Sequence, residues 1–210
     1  MKMRKAILMS ALVTLALVYG GIAQANTITG NLWQVPEAIT LNAVPANVPA
    51  TTPDVTFQVN SPFNFTGTNV TVGTWLGSSG AFNIQDLGTP TLGSLMDNGV
   101  TGTLLEFTGF VTVANGQTFT VTHDDGLTLI IGGLNLGFSP APTPPITSIA
   151  TYTGPSGNFA FQLVYAECCG GPAVLQIDLP LSDTPVPEPA TLLLLGFGLV
   201  GVAGLRKVKK

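Results

Sequence analysis

Two adjacent carboxylates, Asp124 and Asp125, are the residues of this 210-residue chain with the clearest capacity for chemistry. Ca²⁺ takes about six to eight oxygen ligands in proteins, mainly carboxylates and carbonyls, so two neighbouring acids supply part of such a shell. The plain alternative is that Asp favours turns, because its side chain hydrogen-bonds to the nearby backbone. Two carboxylates without a Lys or Arg beside them repel each other, which favours a bound cation. We call Asp124 and Asp125 the acidic pair.

Charged residues are segregated along the chain. All seven basic residues lie before Ala6 or after Leu205, and all eleven acids lie between Glu37 and Glu188. Nucleic-acid binding depends on Lys and Arg contacts to phosphate, so we expect no nucleic-acid partner. The same absence excludes a P-loop Lys, an Arg clamp on phosphate and a Schiff-base Lys. An acidic surface suits cations, although the solubility of a secreted protein is by itself the better explanation of the charge.

Two further residues near the acidic pair are candidates for chemistry. His123 could be a metal ligand or a base, but a lone His is more often structural. Glu167 precedes Gly170 and Gly171 and could be a third acidic ligand, although a solvated loop acid is the commoner case.

An enzyme with a nucleophile and a base needs a His close to a Ser or Cys, and no G-x-S-x-G surrounds any serine. Adjacent carboxylates do not bracket a glycosidic bond. We therefore expect no enzymatic activity, with a hydrolase as the weakest alternative.

The two cysteines, Cys168 and Cys169, are neighbours in the sequence. An exported protein meets an oxidising compartment, so both thiols are not expected to stay free. One hypothesis is a vicinal disulfide that stiffens residues 167–172, and the other is pairing between two molecules. Adjacent Cα atoms lie about 3.8 Å apart, below the usual separation for a disulfide. A zinc site is not expected without a second Cys or His pair.

Strand-like runs flank the acidic pair. Residues 118–123 place Phe119, Val121 and His123 on one face, and residues 127–131 alternate in the same way. Period-2 patterning around an Asp-Gly step predicts a β-hairpin with the acidic pair at its tip.

Glycines support the same interpretation. Gly126 is expected to close the turn with a positive φ, and Asn115-Gly116 predicts a second hairpin turn after a strand at 104–113. The rest of the chain also has the pattern of strands and turns, because short runs rich in Thr, Val and Phe are separated by Gly and Pro. Residues 63–75 are predicted to form one or two strands. No segment shows a helical period. The prediction is an all-β domain at 26–183, a sandwich or barrel. Four aromatic residues could stack on sugars but are more often core residues: Trp33, Trp75, Tyr152 and Tyr165.

The order of several motifs resembles the PA14 domain. They are FTGFVTV at 107–113, GQTFTV at 116–121, DDGLTLIIGG at 124–133, FAFQLVY at 159–165 with Glu167 after it, and AVLQI at 173–177. The resemblance implies a β-sandwich of the kind found in adhesins, glycosidases and toxins, often binding carbohydrate. In the yeast-adhesin branch, aspartates that match the acidic pair hold a Ca²⁺ that contacts sugar hydroxyls. A Ca²⁺-dependent carbohydrate module is therefore expected.

Two end segments are typical of sorting signals. Residues 1–25 have a basic start, an apolar run and the Ala23-Gln24-Ala25 sequence, which predicts a secretory signal peptide cut by signal peptidase before Asn26. Near the other end, a proline-rich linker at 184–189 contains the motif Val186-Pro187-Glu188-Pro189. The apolar segment 190–205 follows, and the basic tail 206–210 is expected to stay in the cytoplasm. As a helix, 190–205 would be about 24 Å long, a little short of the roughly 30 Å of a bilayer core.

The C-terminal pattern resembles the PEP-CTERM sorting signal of Gram-negative bacteria. That resemblance implies processing by an exosortase in the inner membrane, in an organism that produces exopolysaccharide. The expected protein is exported through the inner membrane, anchored there transiently by a single transmembrane helix, and then held at the cell surface or released. Its expected role is exopolysaccharide binding. A structural biofilm or surface protein without a specific ligand site is the alternative.

Overall fold

A computed structural model describes residues 27–88 and 91–182. These residues form a β-sandwich of two antiparallel sheets, so the all-β prediction is confirmed. The predicted signal peptide with Ala23, Ala25 and Asn26, the motif Val186-Pro187-Glu188-Pro189, the transmembrane segment and the basic tail lie outside the described residues. Within the described part of the chain, no helix has the length and apolar character needed to cross a membrane.

The larger sheet has seven strands in the order β4-β2-β1-β5-β10-β7-β8. Its central strands are long, and β5 pairs with both β1 and β10 over most of its length. The strands of this sheet are β1 (Ile28–Pro36), β2 (Val55–Val59), β4 (Phe82–Asp86), β5 (Thr101–Val113), β7 (Leu127–Ile131), β8 (Leu134–Asn135) and β10 (Gly157–Glu167).

The smaller sheet has four strands in the order β3-β11-β6-β9. They are β3 (Phe63–Thr68), β6 (Thr118–Asp124), β9 (Ile146–Thr151) and β11 (Pro172–Ile177). In β6, Phe119, Val121 and His123 are buried while Thr118 and Thr120 are exposed, as the period-2 pattern predicts.

Aromatic side chains from both sheets form the centre of the core. Phe57 and Phe107 of the large sheet contact Phe65 of the small sheet. Trp75 stacks on Phe65 at a ring-centroid distance of 4.3 Å and on Tyr165 at 5.9 Å. Trp33 and Tyr152 are also buried, so all four aromatic residues considered for sugar stacking are core residues. Full burial of one such side chain stabilises the fold by about 1.5–3 kcal/mol.

Neither predicted hairpin forms. β5 and β7 belong to the large sheet and β6 to the small one, so both short connections of β6 cross between sheets. β6 pairs with β11 and β9 instead, and β7 pairs with β10 and β8. The reason is that period-2 patterning tells which face of a strand is buried and not which strand is its neighbour. The turn at Asn115-Gly116 does exist, with Gln117 N–H donating to Ala114 O at 3.0 Å.

Two short helices correct the expectation of strands alone. Helix α1 is Glu37–Thr40. Helix α2 is Val72–Ser78, which begins within the region predicted as one or two strands, 63–75, and ends beyond it. The Thr71 side chain caps α2 by accepting from Thr74 N–H at 3.3 Å. Burial of Trp75 holds this helix against the sandwich, where its indole N–H donates to Ala173 O at 3.1 Å.

Candidate functional site

The acidic pair lies where the chain crosses from the small sheet to the large one. Asp124 is the last residue of β6, and β7 begins at Leu127, so Asp125 and Gly126 make the crossing. The peptide bond between Asp124 and Asp125 is cis. Tyr165 of β10 donates its hydroxyl hydrogen to the Asp124 carbonyl, which ties the crossing to the large sheet. The site is therefore built at a junction of both sheets and not at a hairpin tip.

Gly126 is required by space. Its φ lies outside the positive range that was expected, but a Cβ built on it would lie 2.1 Å from the Pro140 carbonyl oxygen. Next to Pro140, the Ser139 carbonyl accepts from Leu127 N–H at 2.9 Å, so residues 139–140 lie close beside the crossing. The prediction of a positive φ at Gly126 is wrong, and the physical cause of the glycine is the close approach of two backbone segments.

His123 supports the crossing from inside the sandwich. Its Nδ1 lies 2.6 Å from the Asp125 carbonyl oxygen, and its Nε2 lies 3.0 Å from Ser148 Oγ. Because a carbonyl only accepts, Nδ1 carries the hydrogen and Nε2 accepts from the serine. Burial lowers the pKa of His123, although the bond to Asp125 opposes this shift, so the ring is neutral near pH 7. Its position is that of a structural support.

The carboxylates of the acidic pair are buried without a counter-charge. Each residue is only 4% exposed, and no Lys or Arg occurs among the described residues. Asp125 accepts from Cys168 N–H at 2.8 Å and from Thr143 N–H at 3.3 Å. Burial, followed by the charge of Asp125 and their mutual hydrogen bond, raises the pKa of Asp124 to about 7. Burial also raises the pKa of Asp125. The pair must therefore share a proton or face a cation.

Glu167 is not the solvated loop acid that was the commoner expectation. It is the last residue of β10, is 2% exposed, and lies 2.8 Å from the Tyr165 hydroxyl. Burial, with smaller contributions from the charges of Asp125, Asp124 and Asp97, raises its pKa to about 9. A hydroxyl has one hydrogen, which Tyr165 donates to the Asp124 carbonyl, so a protonated Glu167 supplies the hydrogen for the second contact.

Glu167 does not share a compact set of ligand atoms with both aspartates. Among residues 27–88 and 91–182, the His, Cys, Asp and Glu group whose potential ligand atoms all lie within 4.8 Å is Asp125, Cys168 and Cys169. The two sulfurs of this group are bonded to each other as a disulfide, so they are not thiolate ligands. A cation at this site would accordingly depend on the acidic pair and on the oxygens of neighbouring loops.

The acidic pair opens into a surface pocket, which we call the acidic pocket. Its lining consists of Asp124, Asp125, residues 142–145 and residues 169–172. Four lining residues are prolines, which have no N–H to donate. The N–H of Thr143 is already used by Asp125. The hydroxyl oxygen of Thr143 is the one buried side-chain N or O atom in the described residues that lacks a hydrogen-bond partner. This lining offers many acceptors and few donors, which fits Ca²⁺.

The loop at 168–172 forms one side of the acidic pocket. Cys168 is buried and Cys169 is exposed. Cys169, Gly170 and Gly171 all have positive φ values. A Cβ at Gly171 would lie 3.5 Å from the Asp124 carboxylate, so the glycine leaves that carboxylate uncovered.

Asp97 is a residue of this region that sequence reasoning missed. Its carboxylate accepts from Gly170 N–H at 2.9 Å and from Gly99 N–H at 3.1 Å. Its charge also contributes to the raised pKa values of Asp125 and Glu167. The Asp97-Asn98-Gly99 sequence is a turn signal, but nothing in the sequence connects it to a loop 73 residues away.

Comparison with known proteins supports two parts of this description. Residues 185–207 match the family model of the PEP-CTERM protein-sorting motif. This motif marks the chain for export and for exosortase processing of a membrane-anchored sorting signal, which confirms the C-terminal prediction at this level. A search of curated proteins found none whose sequence matches this chain.

Solved structures share the fold of the sandwich. One of them, "Crystal structure of PA14 domain of MpAFP Antifreeze protein", is 21% identical, with a TM-score of 0.51 over 77% of this chain and 85% of that one. The "PA14 sugar-binding domain from RTX adhesin" is also 21% identical, with a TM-score of 0.51 over 73% and 88% of the two chains. The predicted PA14-like β-sandwich is confirmed.

Proposed function

We propose that this exported PA14-like sandwich is a carbohydrate-binding module that holds an extracellular polysaccharide at the acidic pocket with the help of Ca²⁺. The observation that carries the proposal is the acidic pair, two buried carboxylates that open to a surface pocket without any counter-charge. A buried charge without a partner is costly, and a bound cation removes that cost. Without a cation, the two carboxylates must share a proton.

Different residues would bind the cation and orient its ligands at this site. Asp124 and Asp125 would hold Ca²⁺, and the unpartnered Thr143 hydroxyl and loop carbonyls could complete the oxygen ligands. Bound Ca²⁺ would supply a positive charge that attracts sugar hydroxyl groups. The N–H groups of Cys168 and Thr143 orient the Asp125 carboxylate, and His123 holds its carbonyl. These contacts hold the Asp125 carboxylate in place, and Gly171 places no side chain against the Asp124 carboxylate.

Similarity to other PA14 folds supports carbohydrate as the class of ligand. One solved structure that shares this fold is a sugar-binding domain from an adhesin. The sorting motif supports a location where polysaccharide is present, because it sends the chain out of the cytoplasm. Exopolysaccharide is the partner we propose, with signal peptidase and exosortase as processing enzymes and the cell surface or the extracellular matrix as the destination.

Binding without catalysis is part of the proposal. The structure does bring a serine to the one histidine, since Ser148 Oγ lies 3.0 Å from His123 Nε2. The group on the other ring nitrogen is the Asp125 carbonyl and not a carboxylate, and the imidazole is fully buried. Neither His123 nor Ser148 lines the acidic pocket. This pair therefore lacks both the access to substrate and the orienting acid of a serine hydrolase.

Polysaccharide binding by the full chain tests the proposal. We expect immobilised exopolysaccharide of the producing organism to retain the protein in Ca²⁺ and to release it in EDTA. The Asp124→Asn/Asp125→Asn variant should lose this retention, whereas Asn115→Ala, at the other crossing of β6, should keep it. Equal retention of wild type and the double variant would refute the proposed site. Absence of retention for wild type on any glycan of a broad array would favour a structural surface protein without a ligand site.

A further inference from the structure

The acidic pocket is lined by two kinds of chemical group. One kind is the carboxylates of Asp124 and Asp125. The other kind is apolar and consists of the exposed Cys169 and the rings of four prolines, Pro142, Pro144, Pro145 and Pro172. We call Cys169 and these four prolines the apolar wall. A pyranose likewise has a polar and an apolar part, because hydroxyl groups project from its edge and C–H groups cover its faces.

Aromatic side chains do not contribute to the apolar wall. The lining of the acidic pocket contains no Trp, Tyr or Phe. The four candidates for sugar stacking are between 0% and 5% exposed, so none of them is free to contact a ligand. Binding sites for small molecules are mostly apolar with a few polar groups that fix orientation. In the described part of this pocket, the apolar contribution comes from sulfur and proline rings.

A disulfide suits this position better than two thiols. The bonded sulfurs carry no hydrogen and form a polarizable surface without a donor. Cys168 is buried and anchors the bond below the surface, so Cys169 is held at the exposed end. Gly170 follows without a side chain, and a Cβ built there would meet no atom within 4 Å, which leaves the sulfur side of the pocket open.

We propose that the Cys168–Cys169 disulfide, through its exposed Cys169 half, is a specificity-determining surface on which the C–H face of a pyranose packs. The hydroxyl edge of the same sugar then reaches the neighbouring acidic pair, because the Cys169 sulfur lies within 4.8 Å of an Asp125 carboxylate oxygen. This inference rests on the proposed function, because it concerns the apolar wall of the same site. It assigns to the two cysteines a role in sugar recognition that is separate from the binding of the cation by Asp124 and Asp125.

A positioning role for the disulfide is the competing explanation. Cys168 N–H donates to the Asp125 carboxylate at 2.8 Å, so the loop could act on the cation instead of on the sugar. Replacement of both cysteines by serine keeps this backbone N–H and replaces the sulfur surface by two polar hydroxyls. Calcium affinity therefore reports on positioning, and sugar affinity in saturating calcium reports on the surface itself.

The experiment compares wild type, Cys168→Ser/Cys169→Ser and Ile149→Ser as full chains. Ile149 is 70% exposed on β9 and does not line the acidic pocket, so its variant is a matched surface control. Titration calorimetry measures affinity for Ca²⁺ alone and then, in saturating Ca²⁺, for the methyl glycosides of glucose, mannose, galactose and fucose. Saturation-transfer NMR identifies which sugar protons contact the protein.

We expect the double variant to keep calcium affinity within about twofold and to bind the preferred glycoside about tenfold more weakly, as the loss of a small apolar contact implies. Saturation transfer to one face of the ring should be lost, and Ile149→Ser should match wild type. Unchanged glycoside affinity in the double variant would overturn the inference and leave the proposed function standing. Parallel loss of calcium and glycoside affinity would overturn it too, by showing that the disulfide acts by positioning Asp125. Failure of wild type to bind any of the glycosides would overturn both.

Discussion

The two crossings of β6 have the same topology and opposite chemistry. One crossing contains Asn115 and Gly116 and the other contains Asp124, Asp125 and Gly126, and each joins strands of different sheets. At the first, the Asn115 amide donates to the carbonyls of Thr153 and Gly154 at 3.0 and 2.9 Å. At the second, two carboxylates remain without a positive partner among the described residues.

This difference shows what makes a candidate site in this fold. Crossing between sheets is an architectural necessity, and the Asn115 crossing meets it with internal hydrogen bonds alone. At the acidic crossing the described residues supply no positive partner, so the pair shares a proton or faces a cation. A pair of carboxylates in a pocket without a positive partner, and not the unusual backbone path, is therefore the feature that indicates a ligand.

Gly126→Ala should have the largest effect and contrast with Gly116→Ala. The Cβ at 126 would lie 2.1 Å from the Pro140 carbonyl oxygen, so we expect unfolding free energy to fall by about 3 kcal/mol or more. Gly116 has φ of 83° and open space for a Cβ, so its cost should be about 1 kcal/mol. Urea unfolding monitored by tryptophan fluorescence measures both. Equal costs would mean that the two glycines serve the same conformational purpose.

Calcium should stabilise the protein through one crossing only. At a free Ca²⁺ concentration of about 100 times the dissociation constant, binding to the folded state adds about 2.7 kcal/mol and raises the melting temperature. Asp125→Asn should abolish this rise. Asn115→Ala should lower the starting stability, because two carbonyls lose a donor, and should keep the full response to Ca²⁺. A calcium response that survives in Asp125→Asn would contradict the metal assignment.

Stability of the metal-free protein should fall as pH rises. In the folded state Asp124 keeps its proton up to about pH 7 and Glu167 up to about pH 9. In the unfolded state both lose it near their ordinary pKa of about 4. The folded state therefore binds more protons between these limits, and the free energy of unfolding decreases with pH across them.

Variants separate the two parts of that pH dependence. Asp124→Asn should make the decrease between about pH 4 and 7 shallower without removing it, because Glu167 contributes over the same interval, and Glu167→Gln should reduce the decrease from about pH 4 up to about pH 9. Asn115→Ala is the control that should keep the wild-type slope. Chemical denaturation in EDTA at several pH values measures these slopes, and a slope unchanged in both acid variants would disprove the assignment of the protons.

Loss of the disulfide should change stability least. The bond closes a loop of two adjacent residues, so it restricts the unfolded chain little and its removal should cost about 1 kcal/mol. Mass spectrometry of non-reduced protein should give a monomer two hydrogens lighter than the reduced form. A disulfide-linked dimer would instead show that Cys168 and Cys169 pair between molecules.

Much of the fold could be predicted from local patterns. The alternation in β6 correctly placed Phe119 and Val121 inside, and the scarcity of large residues correctly placed the aromatic residues in the core. The same alternation could have corrected the interpretation of Glu167, because Leu163, Tyr165 and Glu167 lie on one face of β10 and are buried together.

Features that depend on distant contacts could not be predicted. Strand partners across the two sheets leave no local signal, which is why both hairpin predictions failed. Helix α2 is seven residues long, with Val72, Gly73 and Gly77 in it, too short to show a helical period. The acidic pair itself was visible in the sequence, whereas the contribution of Asp97 and of the Thr143 hydroxyl required the folded loops.

The absence of Lys and Arg from the sandwich also affects how the exported protein resists proteolysis. Proteases of the trypsin type cut after Lys or Arg, and the sequence has neither from Ala6 to Leu205. Such a protease has no peptide bond to cleave in either sheet, whether the sandwich is folded or open. Amine-reactive compounds likewise find no lysine there. A sandwich without Lys or Arg is thereby resistant to a common class of protease.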